Sequence, residues 1–231
     1  MKSDKSLYLY QEIILLALRD EKGTIATGFG FIEQVIAGAV LAELLLANKI
    51  SVENSKKQLV DIESSAPIGD PVVDECLAKM TKAKRRSSLK NWISRLAGVK
   101  ELKHKAAQQL CERDILRADE QTILFLFKRR VYPEIDPAPE REIIARLKTA
   151  IFTETEVLDP RTVVLVSLAN GSGILQETFA RKELKPYQQR VEKIQQGELT
   201  GKATQQVIAA CQSAVIVAAV VPAIAASTIS S

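Results

Sequence analysis

The chain has 231 residues, 46% hydrophobic and 26% charged, with 32 Lys and Arg against 28 Asp and Glu for a formal net charge of +4. That content excludes a disordered chain and leaves room for one large domain or two small ones. Three scattered cysteines, Cys76, Cys111 and Cys211, form neither a disulfide framework nor a zinc spacing, and they favour a reducing compartment.

The opening MKSDKS does not make a signal peptide. Residues 7–18, LYLYQEIILLAL, begin with alternation and continue as an apolar helical run, and RDEKG at 19–23 reads as a turn. A second helical pattern covers 31–47. It leads into two short alternating segments, ISVE from Ile50 and QLVDIE from Gln58, which predict a hairpin. Helix followed by hairpin is the local grammar of a winged helix. The segment SSAPIGDPVVDECLAKM predicts a loop and then a helix starting near Asp70, whose carboxylate suits a cap, with Pro71 at the first helical position.

Between Lys79 and Lys105 the charge is lopsided. Ten basic residues stand against one acid, Glu101. Such a stretch points to phosphate, on a lipid or on nucleic acid, when it is not simply a solvated surface. Within it LKNWISRLAG predicts a helix stopped by Gly98, and residues 100–113 predict another, with Leu102, Ala106 and Leu110 as its buried stripe. Residues 115–132 predict a second hairpin, with ILFLF as an apolar strand that turns basic at Lys128, Arg129 and Arg130. PEIDPAPE is a linker, and from Glu140 onward the pattern is helical. GSG at 171–173 lacks the frame of a phosphate loop and predicts a sharp break between helices. The apolar run 207–226 contains Gln212, Ser213 and Pro222, so it reads as a buried C-terminal helix rather than a membrane span.

Chemistry is sparse. His104 is the one histidine, no Ser or Cys sits in a nucleophile motif, and Asp74 and Glu75 fit the first turn of a helix better than acid–base work. His104 and Cys111 lack the further ligands a metal site needs. No cofactor or metal is expected, and the chain does not read as an enzyme. Lys100 and Lys103, at i and i+3 on a shared helix face with His104 beside them, are the best candidates for holding a phosphate, against the alternative that they are ordinary surface lysines.

Six segments in sequence order resemble the Golgi phosphoprotein 3 family: LYLYQEIILLALRDEKG, GAVLAELLLANKISVE, SSAPIGDPVVDECLAKM, NWISRLAG, ILFLFKRRVYPEID and LDPRTVVLVSLANGSGILQETF. The resemblance implies a mainly α, single helical domain over 1–231 with one or two β-hairpins. It implies recognition of phosphatidylinositol 4-phosphate and an adaptor role that retains glycosyltransferases by their cytoplasmic tails. It also implies a place on the cytosolic face of Golgi membranes, or on the cytoplasmic face of the inner membrane in a bacterium. The family's headgroup site uses a Trp, an Arg near the N-terminal helix, and two Arg three apart. The pair falls on Lys100 and Lys103, the Trp on Gly28 with Phe29 beside it, and the first Arg on Ala37. The expected headgroup-binding residues are therefore Lys100, Lys103, His104 and Phe29. The expected membrane-contacting hairpin residues are Phe125, Phe127, Lys128, Arg129 and Arg130, unless ILFLF packs in the core or in a homo-oligomer. A peripheral membrane protein that binds anionic phospholipid headgroups is the first reading, with partners among anionic lipids and membrane-protein tails and no nucleic acid. A winged-helix nucleic-acid binder is the alternative, and the absence of Lys or Arg from 31–47 stands against it.

Overall fold

The computed structural model describes residues 6–19, 23–25, 31–123 and 127–199, with the backbone alone at 19, 25, 123 and 127. Three helices form its centre. Helix α1 (Leu9–Ala17) is buried at every position, Gln11 and Glu12 included. Helix α2 (Ile32–Leu46) is buried on nearly all sides, and α7 (Pro160–Gly171) is buried from Thr162 to Ala169. A helix that is apolar all round has no solvent face to offer, so it folds only when other elements surround it. Helix α1 packs against α2, α5 (Leu102–Cys111), α6 (Ala138–Phe152), α7 and α8 (Ile174–Thr178).

Buried polar groups stitch this centre together. Glu43 on α2 is 4% exposed and lies opposite Arg161 on α7. Both terminal nitrogens of Arg161 donate to the Glu43 carboxylate, at 2.9 and 2.8 Å, and one also donates to the Leu7 carbonyl. Glu43 also accepts the backbone N–H of Leu9, one of the first amides of α1, which lack helical partners. One carboxylate thereby joins α2, α7 and the start of α1. Nearby, Glu12 pairs with Arg146 of α6 at 2.8 Å. Burial pushes the Glu12 carboxyl upward, and Arg146 opposes that.

The outer helices are amphipathic and begin as their sequences predict. Helix α3 (Pro71–Thr81) starts at Asp70, which accepts from Val72 N and Val73 N with one oxygen and from the Tyr10 hydroxyl with the other. Asp74 folds back to accept from Ile68 N and Gly69 N, so this carboxylate anchors the loop. Helix α4 (Leu89–Ala97) buries Leu89, Trp92, Ile93 and Leu96, mainly against α2, and ends at Gly98. After α7, Gly173 at φ 82 breaks the chain sharply into α8. The short helix α9 (Arg181–Leu184) and a 3-10 turn lead to α10 (Gln188–Gln195), where Arg190 donates to the carbonyls of Ala150 and Thr155 and closes the end of α6. The run 207–226 lies outside the described residues.

Three antiparallel strand pairs complete the described fold. Strands β3 (Ile50–Val52) and β4 (Val60–Ile62) form the hairpin expected after α2. The helix before it is a core helix, so the winged-helix reading has no recognition face to present. Strands β1 (Leu18–Arg19) and β2 (Thr24–Ile25) form a minimal pair where only a turn is expected. Strands β5 (Asp119–Ile123) and β6 (Phe127–Val131) form the longest hairpin. The segment ILFLF is not one strand: it runs from the end of β5 to the start of β6, with Ile123 opposite Phe127. Every residue at 117–122 and 128–130 is exposed, so this hairpin is an arm with solvent on both faces.

Gly23 joins the β1–β2 pair to the end of the arm. Its φ is +56, its carbonyl accepts from Tyr132 N at 2.7 Å, and a β-carbon there would lie 2.1 Å from Pro133 N. Gly23→Ala is expected to destabilise the protein by about 1–3 kcal/mol through strain and overlap, seen as a lower urea midpoint by circular dichroism. Arg161→Ala, which strands Glu43 without its cation, is expected to cost about 3 kcal/mol in the same measurement.

Candidate functional site

Five of the candidate residues, Lys103, His104, Lys128, Arg129 and Arg130, line a cleft of about 390 Å³ between α5, the β1–β2 pair and strand β6. Its floor is Ile14 of α1 and Leu18 directly after that helix, with Ala107 from α5. Gly23 and Thr24 form one wall. Glu101, Lys103 and His104 come from the start of α5, and Lys128, Arg129, Arg130 and Tyr132 come from the hairpin arm. Glu101 is the one acid among these lining residues.

The start of α5 decides which cations meet. Gly98 ends α4 and Lys100 lies in the connecting turn. Glu101 then takes a left-handed backbone conformation, φ 58 and ψ 28, and the helix begins at Leu102. Lys100 and Lys103 therefore do not share a helix face, contrary to the expectation from their spacing. Lys103 and His104 sit in the first turn and line the cleft, whereas Lys100 is exposed and does not. Lys103 reaches Glu33 of α2 at 3.8 Å. His104 Nδ1 is hydrogen-bonded to the Tyr132 hydroxyl at 2.9 Å, which sets the imidazole against the arm.

The arm supplies its cations with partners already in place. Lys128 pairs with Glu120 at 3.1 Å, Arg129 donates to Gln121 at 2.9 Å, and Arg130 crosses to α5 and takes both oxygens of Glu101 at 3.2 and 3.1 Å. The hydrogen bonds and charge of Arg130 hold the Glu101 carboxyl below the usual carboxylate range. Burial, with Lys103 and Arg130 nearby, holds the His104 imidazole below its usual range, while Glu101 and Glu33 act weakly the other way. The site thus places an imidazole among cations, an arrangement suited to receiving an anion. Phe29 and Phe125 lie outside the described residues, as does the side chain of Phe127. Ala37, where the family's first Arg falls, is fully buried in α2 and faces no cleft.

The rest of the basic tract is divided. Arg86 pairs with Glu53 and Asp61, Lys105 binds Glu75 at 2.6 Å, and Lys79 donates to the Arg95 carbonyl. Lys82, Lys84, Arg85, Lys90 and Lys100 are exposed and have no ion pair among the described residues. Glu101, Tyr132 and Thr24 were not singled out from the sequence. Glu101, as the one acid in the tract, carried a signal that could have found it.

The sequence model for Golgi phosphoprotein 3 matches residues 9–211. This chain belongs to the Golgi phosphoprotein 3 family. Among curated relatives, the vacuolar protein sorting-associated protein 74 of Eremothecium gossypii is 22% identical over 209 residues, covering 77% of this chain and 62% of the relative. The chain thus spans less than two thirds of that relative's length. As expected for a Golgi phosphoprotein 3 family member, the described fold is mainly helical with short hairpins. No helix among the described residues is long and apolar enough to cross a membrane, and no cluster of metal-ligating side chains occurs among them.

His104 is the only histidine, so its titration can be followed by NMR without assignment. Its midpoint is expected below the ordinary value of about 6.5. Glu101→Gln is expected to lower it further, because the neighbouring negative charge is lost. The folded state resists protonation, so the His104 contribution costs stability as pH falls through about 6.5 toward the folded midpoint, and none is lost above that value. Urea midpoints at pH 7.5 and 5.5, compared with those of His104→Gln, check the sign.

Proposed function

We propose that this chain is a peripheral membrane protein that docks on anionic phospholipid surfaces and takes a phosphorylated headgroup in the basic cleft, phosphatidylinositol 4-phosphate or a related lipid. The observation that carries this reading is the convergence of Lys103, His104, Lys128, Arg129 and Arg130 around one opening whose single acid is paired with Arg130. Charge-assisted hydrogen bonds from guanidinium, ammonium and imidazole groups are what a phosphate needs. The one acid of the cleft is engaged by Arg130, and the reading, by analogy with the family, is an adaptor without catalysis. Its second partners would be cytoplasmic tails of membrane proteins, by analogy with the family.

The exposed cations at Lys82, Lys84, Arg85 and Lys90 add attraction without headgroup selectivity. Each Lys or Arg near an anionic surface contributes about 1 kcal/mol, so four facing the lipid give about 4 kcal/mol, roughly a thousandfold in partitioning. That strength suits reversible attachment, and it weakens with salt because the charges are exposed. The family and the absence of a spanning helix among the described residues support a peripheral place on the cytosolic side of a membrane, the Golgi in a eukaryote.

Cosedimentation with vesicles tests the reading. Binding is expected to require anionic lipid, to fall between 50 and 300 mM salt on the order of tenfold, and to be stronger for phosphatidylinositol 4-phosphate than for phosphatidylserine at equal charge. Lys103→Ala is expected to weaken binding to the phosphoinositide by about 1.5–3 kcal/mol, and Lys100→Ala much less. Binding that ignores lipid charge would refute the proposal, and equal losses from the two lysines would refute the cleft as its site.

A further inference from the structure

Glu101 sits in the basic cleft at an unusual position. Its left-handed backbone is one that residues with a β-carbon rarely adopt. Its side chain caps nothing on α5. It reaches instead to the arm and takes both terminal nitrogens of Arg130, the paired geometry in which a guanidinium also holds a phosphate. Both partners are about half exposed, so the pair is weak and can exchange. Lys128 and Arg129 find their partners within their own hairpin, while the acidic partner of Arg130 comes from across the cleft.

We infer that Glu101 is a built-in competitor for the headgroup phosphate: it holds Arg130 until a phosphate displaces it, and Arg130, Lys103 and His104 then close on the ligand from two sides. The inference rests on the cleft being the headgroup site proposed above, and it adds a specificity-determining residue to it. A phosphate monoester carries about −1.5 to −2 charges near neutral pH, whereas a carboxylate carries one. A monoester therefore outcompetes Glu101 at Arg130. A phosphodiester, with one charge and fewer free oxygens, does so poorly. The competing acid makes the cleft discriminate between two kinds of anionic lipid that an open cluster of cations would hold alike. Discrimination by opposing the wrong ligand needs such a repulsive element, and Lys at 130 would keep the charge but lose the fork.

The test uses the full chain with phosphatidylcholine vesicles carrying phosphatidic acid, a monoester, or phosphatidylglycerol, a diester, at matched surface charge. Glycerol 3-phosphate serves as a membrane-free monoester, read by the His104 imidazole resonances. Glu101→Gln is expected to strengthen binding to diester vesicles about tenfold and to monoester vesicles less, so that selectivity falls. Arg130→Gln is expected to weaken monoester binding about tenfold and to cancel the effect of Glu101→Gln in the double variant. Circular dichroism confirms that these exposed substitutions leave the fold intact. If Glu101→Gln binds no better than wild type, or if the two substitutions act independently, the competitor role is overturned while the membrane reading stands. If no anionic vesicle binds but glycerol 3-phosphate shifts His104 more strongly in Glu101→Gln, the membrane reading fails and the competitor role is upheld with a soluble phosphate. If glycerol 3-phosphate leaves His104 unmoved in both and no vesicle binds, both are overturned.

Discussion

A buried carboxylate, Glu43, bears on nearly everything else in this fold. It lies in the last turn of an apolar helix, where an uncompensated buried charge would be prohibitive. Arg161 supplies the countercharge from a helix more than a hundred residues away, and Leu9 N–H supplies a further donor. Satisfying Glu43 therefore fixes three things at once: the register of α2, the approach of α7 and the position of the first turn of α1. Apolar packing alone is tolerant of sliding, since one leucine resembles another. A charged group with few acceptable partners is not, and here it selects one arrangement of three helices that have little polar surface of their own. Helix α1, once placed, offers Ile14, and Leu18 directly after it, as the floor of the basic cleft.

The segments that carry the family resemblance meet in this interior. Tyr10 and Glu12 belong to the first, Glu43 to the second, Asp70 to the third and Arg161 to the sixth. They are joined by the Tyr10–Asp70, Glu43–Arg161 and Glu12–Arg146 contacts, the last reaching α6. Gly23, which ends the first segment, closes against Pro133 in the fifth. The resemblance is thus largely a resemblance of scaffolding, which explains why it predicts the fold so well and says less about the headgroup. The resemblance places the family's aromatic and one of its arginines at Gly28 and Ala37, and the described cleft combines Lys103 of α5 with Lys128, Arg129 and Arg130 of the arm.

Local chemistry was readable where one residue determines one backbone event. Asp70 with Pro71 begins α3, Gly98 ends α4, and Gly173 breaks α7 from α8, each as the residue types predict. What escaped the sequence depended on partners distant in the chain. Nothing in LAGVKELKHK marks a left-handed turn at Glu101, a conformation that residues with a β-carbon rarely adopt. The stretch ILFLF reads as one strand because its composition is apolar, yet its two ends, Ile123 and Phe127, belong to different strands and pair with each other, and the exposed residues of both strands are polar. The cations of the site were legible as a group. Their assembly was not, since it requires α5 and β6 to be brought together by β1–β2, a pair too short to leave a periodic signal.

The closure of Gly23 on Tyr132 and Pro133 also bears on how the protein folds. The two sides of the cleft are roughly a hundred residues apart along the chain, a long-range contact of the kind that forms late because the intervening loop must be ordered first. The cleft is consequently not a local motif that persists in a partly folded chain. It exists only when the core beneath it has formed. By linkage, a ligand seated there draws the whole folding equilibrium toward the native state, by RT ln(1 + [L]/Kd). Occupancy at the surface and integrity of the interior are, in this molecule, one thermodynamic quantity.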